Sequence, residues 1–374
     1  MIPVYSANNG GGCRADLFRL LAGERTGGVV WTADITYWIS GQKACGKADP
    51  AWDTEAGYLD LHRSLGIVPY YDYGNFWAGM PRYDATVEET WIHDGNRSLH
   101  RLRTPRGILE EEHITLKESA CTGCVRHFVR TGEDLAVLED LLQRRTMVPA
   151  NLDDYPARMA RWTDYDGLPA LGLPRSPMAA FCYEWAGIQD AVYLLMDHEE
   201  QVRRILEMME EQEAAVLDAV CRLKPPLVHF PDNLDSENLT SWYDEWLGPT
   251  HRRRLARLHA AGIRAAVHLD GAVRGLLPKL AVVGFDAVEA LTPAPCGDLN
   301  VEEMAALAGE PTVLWGGVPG AMFAPPYTWN DLRRHVEHVL EVWGGRRFIL
   351  GVADQVPPDG DIEHCRRIRD LLED

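Results

Sequence analysis

The sequence predicts an α/β fold: a closed (β/α)8 TIM barrel with an N-terminal extension and a β-rich insertion. Three observations predict it. From residue 168 onward, apolar runs of strand length alternate with amphipathic helical stretches, the pattern of βα units around a parallel sheet. Two further apolar runs, VVWTADI and GIVPYYDY, precede residue 75. Neither a GxGxxG nor a GKT/GKS phosphate loop is present, which favours a closed barrel over a doubly wound sheet.

The elements follow in order. LPALGLP reads as a strand and leads to a long amphipathic stretch from Ala186 to Leu223. PPLVHFPDNLDS comes next, then a helix near Tyr243–Ala261 and the strand IRAAVHLD. A helix near Ala272–Val283, the strand FDAVEALT and the helix VEEMAALAG follow. The strand PTVLWGGVPG precedes a helix from Asn330 to Trp343, and RRFILGVAD precedes the closing helix IEHCRRIRDLLE. Residues 90–135 instead read as the β-rich insertion, laid over the barrel. No internal repeat or linker divides the chain, so residues 1–374 read as one domain. A barrel of this kind takes about 250 residues, and the insertion and extension account for the excess.

Composition bounds the function. The chain is 46% hydrophobic and 25% charged, an ordinary globular balance, with 56 acids against 37 bases for a net charge of −19. No basic block stands out, so phosphate-driven nucleic-acid binding is not expected. No apolar run is long enough to span a bilayer and no secretory signal is evident, so a cytoplasmic location and no membrane partner are expected. The eight cysteines are dispersed. Cys121 and Cys124 are the one close pair; a zinc ribbon needs a second pair, so they read as incidental thiols. His93, His100, His113 and His127 in the insertion read as exposed strand residues.

In a barrel of this kind, chemistry belongs at the carboxyl ends of the strands. Those ends carry Asp34, Asp72, Asp232, Asn233, His268, Asp270, Glu289 and Asp354. One account is that Asp and Asn cap the following helices, each contributing about 1 kcal/mol. Capping does not explain His268 two residues before Asp270, nor Glu289 well short of the next helix. In a strand, residues two apart share a face, so His268 and Asp270 point the same way. Converging carboxylates repel unless a cation sits among them, and one histidine with several acids suits Zn²⁺ or another divalent ion. At such a strand tip, facing a wet mouth, His268 is expected to contribute little packing. Tyr183 and Glu184, after AAFC, are candidates at the mouth, and with Asp232 and Asn233 they complete the expected catalytic set. Cys296 is a weaker candidate as a soft ligand, and His229 in LVHF reads as lying inside a strand.

From about residue 180 to the C-terminus the chain resembles the uroporphyrinogen decarboxylase superfamily. The landmarks are MDHEEQVRRILEMM, DNLDSENLTSWYDEWLGPTHRRRLARLHAAGIRAAVHLDG, FDAVEALTPAPCGDL, LWGGVP and FILGVADQVPPDGDIEHC, in that order. The resemblance is looser in the N-terminal half. True decarboxylases of the superfamily carry an Arg-Gln-Ala-Gly-Arg stretch for their substrate's carboxylates. The corresponding GERTGGVVWTADITYWISG here carries a single arginine, Arg25. Bidentate guanidinium groups are what match carboxylates, so that substrate is disfavoured. Asp354 also stands where the decarboxylases have a histidine.

The other branch comprises zinc methyltransferases that work with corrinoid proteins. Carried over by position, their ligand histidine is His268 and their first cysteine falls on Asp270. Their intermediate acid falls on Glu289 and their last-strand cysteine on Asp354. The resemblance therefore implies a metal-dependent methyltransferase moving a methyl group from an aromatic methyl ether or amine to a corrinoid (cobalamin-type) group carried by a partner protein. Its implied cofactor is a divalent metal, Zn foremost, in a harder site than the family's thiolates make. The aromatics Trp31, Tyr37, Trp38, Tyr70, Tyr71, Tyr73, Phe76 and Trp77 would suit an apolar methyl donor, or fill the core. The alternative is a metal-independent decarboxylase or related lyase, for which Arg25, Arg82 and Arg175 are the nearby cations. A non-enzymatic corrinoid-binding subunit is a third reading, and it leaves the converging acids unexplained.

Overall fold

The structure is a computed structural model, and it describes residues 13–70, 77–117 and 121–373. Asp72, Tyr71, Tyr73 and Phe76 lie outside the described residues. Among the described residues, thirteen strands form in chain order. The first is β1 (Trp31–Thr32). Then come β2 (Gly79–Tyr83), the insertion strands β3 (Glu88–Asp94), β4 (Arg97–Thr104), β5 (Gly107–Leu116) and β6 (Cys121–Arg126), and β7 (Arg145–Pro149). The remainder are β8 (Leu171–Gly172), β9 (Leu227–Leu234), β10 (Arg264–Leu269), β11 (Ala287–Leu291), β12 (Val313–Pro319) and β13 (Phe348–Ala353).

Seven of them make one curled parallel sheet, ordered β1-β13-β12-β11-β10-β9-β8. β3 to β6 form a four-stranded antiparallel sheet, and β2 pairs with β7. The closed eight-stranded expectation is thus corrected to a seven-stranded curled sheet. The reason lies in GIVPYYDY. Val68 N–H donates to the Trp31 carbonyl, and the carbonyls of Pro69 and Tyr70 accept from Leu168 and Ala170. The segment therefore bonds to both sheet edges, but Pro69 has no N–H to donate and no ladder develops over 67–70.

The helices between strands match their patterning. The long amphipathic stretch is a helix over Ile188–Leu223. It breaks at His198, whose φ of −138° is non-helical. The expected Tyr243–Ala261 helix begins as a π-helical turn, Tyr243–Leu247, and continues as Gly248–Ala260. The helix expected from Ala272 starts only at Leu277. No described helix is long and apolar enough to cross a membrane.

Two cores result from the period-2 alternation. Val267, Leu269, Val288, Leu314 and Leu350 face the helices. Leu227, Ala266, Ala287, Val313 and Ile349 face inward with Val68, Tyr70 and Trp315. His229, His268 and Glu289 each lie two residues beyond one of these inward residues, so they form the next inward layer.

Candidate functional site

The strand ends that carry the site are irregular. Val267 pairs with Phe230 and Leu269 with Leu234, so Pro231, Asp232 and Asn233 bulge opposite the single residue His268. Asn233 takes a left-handed φ of 53° in this bulge. A second irregularity lies between β11 and β12, where Ala290, next to Glu289, has φ 66°. Bulges and left-handed non-glycine residues are devices that re-aim side chains at functional sites.

His268 is 6% exposed, and its two ring nitrogens face different partners. Nδ1 lies 2.7 Å from Glu289 Oε2. Nε2 lies 3.7 Å from Asp354 Oδ1 and 4.0 Å from Asp270 Oδ1. The Glu289 carboxylate accepts from the Tyr70 hydroxyl at 3.0 Å and lies 3.3 Å from His229 Nε2. Hence His268, Asp270, Glu289 and Asp354 come together. Donor atoms of His268, Asp270 and Asp354 gather within 4.8 Å of one another, as do those of His229, His268 and Glu289. Asp34 belongs to the same neighbourhood: it is buried, accepts from the Thr36 backbone N–H and hydroxyl, and feels the charges of Asp354 and Glu289.

The electrostatics follow from burial against these contacts. Burial alone would pull the His268 imidazolium down, but Glu289, then Asp354 and Asp270, outweigh it and push it up to about 10. Burial would raise Glu289, yet His268 and His229 hold its carboxyl well below the ordinary range. Asp354 is pushed up to about 6 by burial and by repulsion from Glu289 and Asp270, against the pull of His268. Burial lifts Asp34 to about 7 in spite of its Thr36 hydrogen bonds. Asp270 is raised as well, by burial first. Carboxyls raised together in this way are a cluster short of positive charge.

A pH dependence follows. Raised acids keep their stability contribution at low pH and lose it as pH rises through their folded values. For Asp34 the window runs from about 4 to about 7, and the His268 contribution is lost in the same direction above about 6.5. In chelator, the protein is therefore expected to lose stability between pH 5 and pH 8, and Asp34→Asn to flatten that slope. Urea unfolding at both pH values, wild type against variant, measures it. Equal slopes would show that Asp34 does not carry the effect.

The other expected site residues lie differently. Asp232 is fully buried and accepts from Ser176 N at 2.8 Å, Ser176 Oγ at 2.6 Å and His251 Nε2 at 2.8 Å. Those bonds tie it to the core rather than to His268. Asn233 is exposed in the bulge. Tyr183 and Glu184 sit in a π-helical turn, Phe181–Trp185. The Tyr183 hydroxyl is buried with no hydrogen-bond partner among the described residues and feels the charges of Asp235 and Asp270. Glu184 is exposed and accepts from Arg175 at 2.8 Å. Arg25 and Arg82 are exposed, so neither joins the carboxylates in the core. Cys296 is exposed on the loop after β11 and is in no cluster of ligand atoms among the described residues. Trp31 and Trp38 are core residues that donate to the Cys365 and Gly360 carbonyls. Tyr37 is 41% exposed and is held high, at about 12, by a hydrogen bond to Cys121 and by burial, with Asp354 and Asp34 adding. The insertion thereby reaches the neighbourhood of the strand-end acids. His229 and the Tyr70 hydroxyl are site residues that the sequence reading did not place there; their parity with Leu227 and Val68 is the signal.

A curled parallel sheet with a histidine and converging acids at its carboxyl ends defines an α/β protein with a buried polar site. The uroporphyrinogen decarboxylase (URO-D) family matches residues 123–374, and the chain belongs to that family. Among solved structures it is similar to a methyltransferase from Methanosarcina mazei, at 14% identity and a TM-score of 0.61, over 97% of this chain and 99% of that one. It is also similar to a B12-independent methionine synthase from Shewanella sp. W3-18-1, at 11% identity and a TM-score of 0.50, over 92% and 97% of the two chains. At such identities the likeness is one of fold. No curated protein matches.

Proposed function

We propose that the chain is a metal-dependent methyltransferase. It moves a methyl group from a small methylated donor, an aromatic methyl ether or amine, to a corrinoid carried by a partner protein. The observation that carries this reading is the division of His268: Nδ1 against Glu289, Nε2 against Asp270 and Asp354. Imidazole held on one nitrogen by a carboxylate, with the other turned to acids, is the arrangement that orients a metal-binding histidine. His268, Asp270 and Asp354 would hold the ion, and the donor set fits Zn²⁺ or a harder divalent cation. Glu289 then serves as the residue that orients His268, rather than as the ligand the sequence suggested. When bound, the ion would polarise the donor's heteroatom as a Lewis acid.

The chain's own residues do the rest. The Tyr183 hydroxyl, without a hydrogen-bond partner among the described residues and within the field of Asp270, would donate to the departing heteroatom. The buried acids repel carboxylated substrates. Family membership and the shared fold support this reading. The chain is read as a single cytoplasmic domain spanning 1–374.

A second reading, a metal-independent carboxy-lyase, is favoured by one observation. Without an ion, His268 lies among Glu289, Asp354 and Asp270, whose charges favour its protonated, proton-donating form. Metal analysis of freshly purified protein separates the two. Incubation with methylated aromatic donors and a reduced corrinoid protein is expected to yield methylcobalamin. Metal-free protein that turns over a carboxylated substrate such as uroporphyrinogen would reverse the order.

A further inference from the structure

A second cluster of ligand-type side chains lies in the insertion, away from His268. β5 carries the run Glu110-Glu111-Glu112, and alternation sends the middle residue to the opposite face. Glu110 pairs with Arg101 and Glu112 with Arg126, while Glu111 is buried and pairs with no arginine or lysine among the described residues. What it meets instead is Cys124 on β6, whose thiol lies 3.6 Å from Oε1, and His127, whose Nδ1 lies 3.7 Å from the same oxygen. His113, two residues along β5 and paired across from Cys124, brings Nε2 to 3.4 Å from the other Glu111 oxygen. Donor atoms of Glu111, Cys124 and His127 all lie within 4.8 Å of one another. The Nδ1 atoms of His113 and His127 are buried without a hydrogen-bond partner among the described residues. The histidines expected to be exposed are thus turned inward, and a thiol read as incidental is seated against a carboxylate.

We propose that Glu111, Cys124 and His127 form a binding site for a zinc-class divalent cation, with His113 at its edge. Three arguments carry it. Bonds of roughly 2.0–2.3 Å at a tetrahedral angle space the donors about 3.3–3.7 Å apart, and the Glu111–Cys124 and Glu111–His127 separations lie in that range. A thiolate and a carboxylate balance the charge of a divalent ion, and thiolate with imidazole selects zinc over magnesium or calcium. Two buried imidazole nitrogens without a hydrogen-bond partner among the described residues, beside a buried carboxylate that meets no arginine or lysine, are costly unless something binds there. The site also has a place in the fold. His127 follows β6, its ring hydrogen-bonds the Glu184 backbone, and a Cβ on Gly187 would lie 2.5 Å from its Cδ2. The ion would pin the insertion to the turn that carries Tyr183.

Cobalt(II) titration of the chelator-stripped protein tests the site by a signal independent of turnover. Among the clusters of ligand atoms in the described residues, only this one includes a thiol, so only it gives a thiolate-to-cobalt charge-transfer band. The band is expected in wild type, lost in Cys124→Ser and kept in His268→Ala, with zinc displacing it. Glu111→Gln and His127→Ala are expected to weaken zinc binding at this site by more than the roughly 10–100-fold that loss of an outer-shell partner costs. Circular dichroism confirms that each variant is folded. Wild type without a thiolate band, or a band that survives in folded Cys124→Ser, would overturn the proposal.

Discussion

Under the proposed function, His268→Ala is expected to abolish metal binding at the strand-end site and methyl transfer to a corrinoid, and to destabilise the protein as well. A histidine at a wet strand tip would be removed at little cost, but His268 is buried and its Nδ1 holds Glu289 at 2.7 Å. Breaking a buried charged pair costs about 3–5 kcal/mol, because the remaining charge has lost its counterpart. Here the loss falls toward the lower end. Glu289 keeps its bonds to Tyr70 and His229 and can take up a proton once His268 no longer holds it ionised. The double variant His268→Ala/Glu289→Gln removes the stranded charge, so it is expected to regain most of the stability and none of the metal. Urea unfolding in chelator gives the stability and elemental analysis gives the metal, while methylcobalamin absorbance reports turnover. Full metal occupancy and turnover in His268→Ala would remove the site as drawn.

The C-terminal half of the fold was legible because its strands are apolar runs bounded by Gly, Pro and acids, so boundaries and faces follow from composition alone. The closing segment was not, because GIVPYYDY is apolar enough to read as a strand while Pro69 denies it a ladder. At the site, parity did more than residue type. Ala266 pairs with both His229 and Ala287, and His268 pairs with Glu289. The three polar residues therefore lie in one inward layer, which reading LVHF as strand interior did not reveal. Interior, in a curled sheet, includes the polar layer beneath the mouth. Asp232 misled in the opposite direction. It ends a strand as a mouth residue would, but the bulge opposite His268 turns it into the core, and no local pattern announces a bulge. The inward face of Glu111 was hidden for a related reason: its partners come from β6 and the turn after it, and only pairing register brings them together.

Asp232→Ala is therefore expected to act on the fold rather than on the chemistry. The carboxylate is fully buried and takes three hydrogen bonds, two from Ser176 and one from His251, whose other nitrogen meets the Tyr243 hydroxyl at 3.1 Å. Burial would raise its pKa, but the His251 hydrogen bond and charge outweigh that and hold it below the ordinary carboxylate value. The variant leaves the Ser176 N–H stranded in the core and takes the buried carboxylate from His251, whose Nε2 keeps only the Ser176 hydroxyl at 3.0 Å, a loss of about 3–5 kcal/mol. In a chain of 374 residues that lowers Tm by roughly 4–6 °C. The sign with pH is fixed: a depressed carboxyl gives stability above its unfolded value, near 3.8, that is lost as pH falls through its folded value. Wild type and variant should thus differ fully at pH 7 and converge in acid, which calorimetry at both extremes measures. Turnover per folded molecule, taken well below the variant's Tm, should stay near wild type, since Asp232 touches none of the residues around His268. An Asp232→Ala protein that melts like wild type yet has lost turnover would instead make Asp232 a reacting group.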